Sequence, residues 1–379
     1  MHKETANNPG IRLPWAGKLV HLELVEQELA LLWKISADNL RTGQNTNVRT
    51  SVLNFVICAP DIAAAQHASA LLRQLSSTHI ARAAVVVLDR NNPTATISTW
   101  ITLRCFSIIS DIMRHCFEQT TLLVTGDATR SIANVLQPLL KPDLPVYLWW
   151  LGDPPHDDIT FSRFVEISNR VIVDSATFLH PEQDMRTLIQ RSLAEPDCAL
   201  SDLNWERLTP WRNLIGQFFD VAEHRPYLEG INTIEIEHAV SPENTLHTKP
   251  GTASPNPAQA LLLAGWLKDR LGWTFIENSK HNVFDTESGT YYWTMAGKEN
   301  LRTTRKLNPS RNTAAKLSSI HPASVNIHPQ LQPEMQPGSI CLIRLTSTVA
   351  GKEAIFTINR DGDPEHVLTT VELDGETGP

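Results

Sequence analysis

The feature that most constrains the fold is an alternation of continuous apolar segments with amphipathic ones in the first half of the chain. Segments such as "VLNFVICA", "AAVVVLD" and "VYLWWL" are apolar almost throughout, as strands buried on both faces are. Between them lie segments with helical spacing, such as "DIAAAQHASALLRQL", for which Asp61 is a suitable N-cap. This alternation predicts a parallel sheet with helices on both faces. Residues 1–200 are therefore predicted to form a Rossmann-like three-layer α/β domain.

The second half has a different pattern, and residues 201–379 are predicted to form an α+β domain. Two helical segments, "LTPWRNLIGQFFDVAEH" and "NPAQALLLAGWLKDRLG", carry N-cap candidates at Thr209 and Asn256. They are followed by "GTYYWTMAG", "GSICLIRL" and "KEAIFTINR", which are typical of antiparallel strands. A chain of 379 residues is long enough for two such domains.

Composition limits the compartment and the partners. The net charge of −8 argues against nucleic acid or an anionic membrane as a partner. The start "MHKETANNPG" lacks the apolar core of a secretory signal, and no apolar run is long enough to span a bilayer. Five cysteines without CxxC spacing favour a reducing compartment over a disulfide scaffold or a zinc site. We therefore expect a cytoplasmic protein.

Residues 300–333 contain no acidic side chain, and we predict a mobile basic loop over about residues 300–335. An alternative is an ordered basic arm that docks on an acidic surface. The basic residues are Arg302, Arg305, Lys306, Arg311 and Lys316.

The motifs of catalysis and cofactor binding are missing. The turn after the first long strand, "CAPDIAAA", has a proline without an N–H and an aspartate where a pyrophosphate would need backbone donors. There is no GxSxG elbow. Residues 107–119, "SIISDIMRHCFEQ", are predicted to be an ordinary helix, and His321 and His328 are predicted to lie in a loop without acidic or thiol co-ligands. We predict no catalytic residue, no metal and no cofactor.

Tryptophans and one cysteine are the remaining candidates for function. Trp149 and Trp150 close a strand and are predicted to point to opposite faces of the sheet. Tryptophan and arginine are frequent in the centres of protein interfaces, although a tryptophan taken singly is more often part of a core. The predicted partner-binding residues are Trp149, Trp150, Asp153, Pro154, Pro155, Trp205, Trp211 and Arg212. Cys198, in a polar segment, is the predicted redox thiol, although its neighbours Glu195 and Asp197 would raise its pKa.

Several segments, in the same order along the chain, resemble those of a known family. The run "LLKPDLPVYLWWLGDPP", followed by "SNRVIVDS", resembles the signature of the glucose-6-phosphate dehydrogenase assembly protein family, OpcA. "VRTSVLNFVI", "DLNWERLTPWRNLIGQFFD" and "LLLAGWLKDRLGW" agree in the same order. The resemblance implies a non-catalytic partner that helps glucose-6-phosphate dehydrogenase to assemble and activates it in the oxidative pentose phosphate pathway, which supplies NADPH.

Two other hypotheses remain open at this point. One is an enzyme or sensor that binds a sugar phosphate or nucleotide in the sheet crevice, with Thr125, Gly126, Asp153 and Asp174 at predicted strand ends. The other is a redox-gated activator that uses Cys198. The thioredoxin link that the family resemblance implies is not carried over, because the second half has no closely spaced cysteine pair.

Overall fold

The computed structural model describes residues 12–38, 46–48, 51–75, 81–109, 113–156, 158–241, 256–276, 282–286, 288–297, 322–360 and 366–378. Contacts between Cα atoms divide the chain into two units, the first made of residues 1–174 and 183–203 and the second of residues 175–182 and 204–379. No helix in the described ranges has both the length and the apolar character needed to cross a membrane.

Nine strands in the described part of the first unit form one sheet. They are β1 (Lys18–Val20), β2 (Thr46–Val48), β3 (Leu53–Ala59), β4 (Ala81–Asp89), β5 (Thr96–Ile109), β6 (Met113–Thr125), β7 (Val146–Trp150), β8 (Arg170–Val173) and β9 (Ala199–Asp202). The helices are α1 (Val25–Asp38), α2 (Ile62–Leu75), α3 (Ile132–Leu136), α4 (Ile159–Glu166) and α5 (Pro181–Ala194), the last of which begins in residues assigned to the second unit.

The strand order is β1-β5-β6-β4-β3-β7-β8-β9, with β2 beside β6. Strands β6, β4, β3, β7, β8 and β9 run parallel to one another, whereas β5 is antiparallel to β6 and β1 to β5. Numbered along the chain, these six strands lie in the order 3-2-1-4-5-6, in which the direction of winding reverses between β3 and β7, and β2 is also parallel to β6. The mostly parallel sheet predicted for the first half is confirmed, with β1 and β5 as its antiparallel strands.

Helices cover both faces of this sheet because its strands carry apolar residues on both sides. Ile57 and Ala59 of β3 pack in one buried cluster with Ala65, Ala68 and Leu72 of α2. On the opposite face, Trp150 of β7 packs against Phe161 and Phe164 of α4. This arrangement explains the near-continuous apolar character of the strand sequences.

The helix predicted over residues 107–119 is wrong. The described residues of this stretch belong to the antiparallel pair β5 and β6, in which Cys105 lies directly opposite Cys116. The two cysteines form a disulfide, which the sequence did not predict, because the cysteine spacing favoured a reducing compartment over a disulfide scaffold. Pairing between long adjacent strands has overridden the local helical spacing of isoleucine, methionine and phenylalanine.

The described part of the second unit combines helices with a second nine-stranded sheet. The helices are α6 (Leu203–Arg207), α7 (Thr209–Phe218), α8 (Arg225–Glu229) and α9 (Ala258–Leu271). The strands are β10 (Ile231–Val240), β11 (Thr274–Phe275), β12 (Val283–Asp285), β13 (Thr290–Ala296), β14 (Pro322–Leu331), β15 (Ile340–Val349), β16 (Lys352–Asn359), β17 (Leu368–Leu373) and β18 (Glu376–Gly378). Their order is β11-β13-β14-β10-β15-β16-β17-β18, with β12 beside β13. The pairs are antiparallel except β10 with β14.

Strand β14 corrects part of the predicted basic loop. Residues 322–331 form an interior strand of the second sheet, paired on one side with β10 and on the other with β13. His328 therefore lies on a strand, and its Nε2 atom is 3.2 Å from Oε1 of Glu235. The five basic residues of the predicted loop lie outside the described residues.

Candidate functional site

Three parallel strands of the first sheet end around one cleft. The carboxyl ends of β4, β3 and β7 surround a volume of about 290 Å³ at the point where the winding direction reverses. This is where ligands bind in open α/β sheets. Its walls are formed by Cys58, Ala59, Pro60, Leu88, Asp89, Arg90, Asn91, Trp150, Leu151, Gly152, Asp153 and Pro155. Five of the six residues from 150 to 155 therefore lie in this wall, and Pro154 is the exception.

The two adjacent tryptophans point to opposite faces of the sheet, as predicted. Trp149 is half-buried and stacks beside Phe55, with 6.4 Å between ring centroids. Trp150 is only 5% exposed and meets Phe161 edge-on at 4.7 Å. Most of the Trp150 ring therefore packs in the core and is not accessible to solvent.

A hydrogen bond from the Trp150 side chain to the backbone fixes the corner after β7. The indole Nε1 of Trp150 donates a hydrogen bond to the carbonyl oxygen of Asp153 at 3.1 Å. Gly152 has a φ of +81°, a conformation that glycine adopts without strain. Pro154 is buried, whereas Asp153 and Pro155 are half-buried and line the cleft. The segment forms a fixed wall of the cleft.

Two helices that start at this edge carry their own carboxylate caps. Asp61 accepts a hydrogen bond from the backbone N–H of Ala64 at 2.8 Å at the start of α2. Asp158 accepts from the N–H groups of Thr160 and Phe161 at 2.6 and 3.0 Å at the start of α4. These backbone donors are the groups that would otherwise bind a phosphate. A negative side chain already occupies that position at each helix.

An ion pair lies beside the cleft. The guanidinium of Arg90 pairs with the carboxylate of Asp158. Burial alone would raise the pKa of Asp158, but the backbone N–H of Phe161, Arg90 and Thr160 outweigh it and lower that pKa. Arg90 also borders a second cavity of about 470 Å³, whose walls include Gly126 and Arg130.

The strand-end residues that the sequence suggested for a crevice are only partly brought together. Asp153 lines the cleft, and Gly126, which follows Thr125 at the end of β6, lines the second cavity. Asp174 follows β8 and lines neither of them.

Sequence reasoning missed Asp89, Arg90 and Asp158. Asp89 is the last residue of β4, the strand numbered 2 in the order 3-2-1-4-5-6, where nucleotide-binding sheets place a carboxylate that binds ribose hydroxyls. Its position at the end of this strand could have identified Asp89 from the sequence. The pairing of Arg90 with Asp158 joins distant parts of the chain and leaves no local pattern.

In the second unit, the predicted residues differ in exposure. Trp211 is 3% exposed, and the Arg360 guanidinium lies 5.4 Å from its ring centroid. Trp205 is half-buried, and the Arg212 guanidinium stacks 3.9 Å from its ring centroid. Trp205 and Arg212, which we call the α6–α7 pair, are therefore partly accessible, whereas Trp211 belongs to the core.

Cys198 is half-buried, and burial is the main reason that its pKa is raised, with Glu195 adding to the effect. A raised pKa reduces the thiolate fraction on which reactivity depends. Its role as a redox thiol stays a prediction.

Comparison with known proteins gives a family for both halves of the chain. The model described as "Glucose-6-phosphate dehydrogenase subunit N-terminal domain" matches residues 72–190, and the corresponding C-terminal domain model matches residues 198–328. Together they cover more than half of the sequence.

Curated relatives match over part of their length. A "Putative OxPP cycle protein OpcA" from Synechocystis is 37% identical over 164 residues, which is 43% of this chain and 31% of the relative. Its namesake from Nostoc punctiforme is 36% identical over 176 residues, 46% of this chain and 33% of that relative. The match thus spans about a third of these relatives.

A solved structure with a weaker likeness is the NAD binding oxidoreductase from Klebsiella pneumoniae. It has 10% identity and a TM-score of 0.40, and the match covers 85% of this chain and 80% of the oxidoreductase. At this level of similarity it supports no conclusion about function.

Proposed function

The chain belongs to the OpcA family of glucose-6-phosphate dehydrogenase assembly proteins, and we propose that it is a non-catalytic assembly factor and allosteric activator of that dehydrogenase. Its place would be the oxidative pentose phosphate pathway, the pathway abbreviated in the names of its relatives. We further propose that it acts in the cytoplasm and needs no cofactor of its own.

The observation that carries the non-catalytic part of this proposal is the pair of self-capped helices at the sheet edge. Asp61 and Asp158 place carboxylates on the backbone donors where a dinucleotide pyrophosphate would bind. At the first of these turns, Pro60 also lacks the N–H that a phosphate-binding loop would supply. The sheet keeps the strand order of a dinucleotide-binding domain, but its phosphate positions carry the wrong charge.

Activation by binding needs only a difference in affinity. If the chain binds the active state of the dehydrogenase tenfold more tightly than the inactive state, the coupling free energy is about 1.4 kcal/mol. One well-packed aromatic or arginine side chain in an interface contributes that much. The α6–α7 pair is our candidate, because Trp205 and Arg212 are partly accessible and already stacked.

Size-exclusion chromatography of the mixed chain and dehydrogenase tests complex formation and assembly. We expect a larger species than either protein alone, and Trp205→Ala and Arg212→Ala to weaken the complex about tenfold. Trp211→Ala is the control for effects that act through stability, because loss of its buried ring should destabilise the chain without changing an exposed contact. Independent elution of the two proteins at concentrations well above micromolar would contradict the proposal.

A second candidate, an enzyme or sensor that binds a sugar phosphate or nucleotide, is favoured by the cleft at the switch point. A thermal-shift screen without the dehydrogenase separates the two. A large stabilisation by a phosphorylated ligand would favour the second candidate.

A further inference from the structure

The cleft holds a carboxylate with spare hydrogen-bonding capacity. Asp89 ends β4 beside the end of β3, is half-buried and faces the cleft. Within the described residues its hydrogen-bond partner is the side-chain amide of Asn92, 3.4 Å from Oδ2. That distance is long for a hydrogen bond, so both carboxylate oxygens can accept from a ligand.

The charges around the cleft favour a ligand without phosphate. Asp89 and Asp153 lie in its wall, and Asp61 follows the wall residue Pro60. The wall cation, Arg90, is already paired with Asp158. A phosphate group would meet these carboxylates without a free guanidinium or an open helix N-terminus to bind it.

The remaining wall is largely apolar and suits the face of a ring. Ala59, Pro60 and Leu88 come from the ends of β3 and β4, and Leu151 and Pro155 follow β7. The volume of about 290 Å³ is at the lower end of the range for small-molecule sites. A single nucleoside or one to two sugar rings matches this size.

From this geometry we propose that the cleft binds an uncharged ring compound with a vicinal diol, and that Asp89 accepts hydrogen bonds from both hydroxyl groups. Ribonucleosides and unphosphorylated sugars share this chemistry. The carboxylate binds the diol, the apolar wall contacts the ring, and the surrounding aspartates repel phosphorylated forms. The site needs no dehydrogenase, so its test is independent of the proposed function.

Isothermal titration calorimetry of the isolated full chain tests the site with two neutral probes, adenosine and glucose, and their phosphorylated forms, AMP and glucose 6-phosphate. We expect at least one neutral probe to bind and its phosphorylated form to bind at least about tenfold more weakly. Adenosine binding alone would indicate a nucleoside, and glucose binding alone a sugar. Lack of binding by both neutral probes, or tighter binding of a phosphorylated form, would overturn the proposal.

Asp89→Asn should weaken the neutral probe at least about tenfold, because an amide offers one acceptor in place of two. Asp197→Asn, an exposed position of the same unit, is the matched control and should bind like the wild type. Unchanged binding by a folded Asp89→Asn protein would overturn the assignment of Asp89. If that variant does not fold, the comparison of neutral and phosphorylated probes on the wild type still decides the proposal.

Discussion

The indole Nε1 of Trp150 donates to the backbone carbonyl of Asp153, whereas the indole Nε1 of its neighbour Trp149 is buried and has no hydrogen-bond partner among the described residues. The two residues are adjacent in sequence, yet only one of them ties strand β7 to the corner that follows it. We therefore expect substitutions of the two tryptophans to change the free energy of unfolding by different amounts.

Trp150→Phe should destabilise the chain, because it removes the bond to Asp153 and part of the contact with Phe161 and Phe164. We expect a loss of about 1–3 kcal/mol in the free energy of unfolding. Trp149→Phe should cost less, since it removes a buried N–H that has no hydrogen-bond partner within the described ranges. Urea unfolding of both variants measures the difference, and equal losses would contradict this account.

Asp158→Ala should lower stability by about 1–2 kcal/mol, because Asp158 caps α4 and pairs with Arg90. Asp127→Ala is the control, since the Asp127 side chain is largely exposed and pairs with Arg130 at 3.6 Å. The pKa of Asp158 is lowered in the folded state, so its contribution is complete above the unfolded-state pKa and declines as pH falls. The gap between the wild type and Asp158→Ala should therefore narrow in acid, and a gap independent of pH would contradict the assignment.

His238 predicts a second pH dependence, at higher pH. The side chain is 1% exposed, and burial lowers its pKa from 6.5 to about 4. Because the folded-state pKa is depressed, the unfolded chain takes up the proton first, and stability is lost as pH falls from about 6.5 to 4. The loss is on the order of 3 kcal/mol.

His238→Gln should remove this component of the pH dependence. Chemical unfolding of the wild type and variant at a series of pH values measures it, and the difference between the curves cancels the other histidines. Parallel curves from pH 7 to pH 4 would mean that His238 titrates normally.

The disulfide between Cys105 and Cys116 predicts sensitivity to reductant. It joins β5 to β6, and its removal in Cys105→Ser/Cys116→Ser should cost about 2–3 kcal/mol, chiefly by freeing the unfolded chain. Dithiothreitol should bring the wild type to the stability of the double variant. Cys198→Ser, which breaks no disulfide, is the control, and an equal response to reductant in all three proteins would show that the bond does not contribute.

The sequence predicted most strands and helices of the first sheet because they carry distinct local patterns. The parallel strands β3, β4 and β7 were recognised from continuous apolar runs, and α2 from its spacing and its cap at Asp61. The prediction for residues 107–119 was wrong because their spacing fits a helix, and only pairing with the neighbouring strand makes them extended.

The prediction of a loop over the residues of strand β14 was wrong for another reason. Prolines are rare in interior strands, so "HPASVNIHP" indicated a loop. In the structure Pro322 is the first residue of the strand, and the pairing with β13 ends at Ile327, before Pro329. The prolines are thus placed where a missing N–H is tolerated.

The candidate site was partly predictable. Residues 149–155 span the end of a buried strand and the corner after it. Because the carboxyl ends of parallel strands share one edge, their position near a crevice followed from the sequence. The burial of Trp211 and the pairing of Arg90 with Asp158 depend on contacts between distant segments. Such contacts leave no mark on local spacing.

The most direct test of the central claim is a kinetic titration of purified glucose-6-phosphate dehydrogenase with this chain. Initial rates over a range of glucose 6-phosphate concentrations give the apparent KM at each ratio of the two proteins. We expect a saturable, at least severalfold decrease in apparent KM, and no turnover by the chain alone. An unchanged KM and oligomer size at saturating chain, or genuine turnover by the isolated chain, would contradict the account.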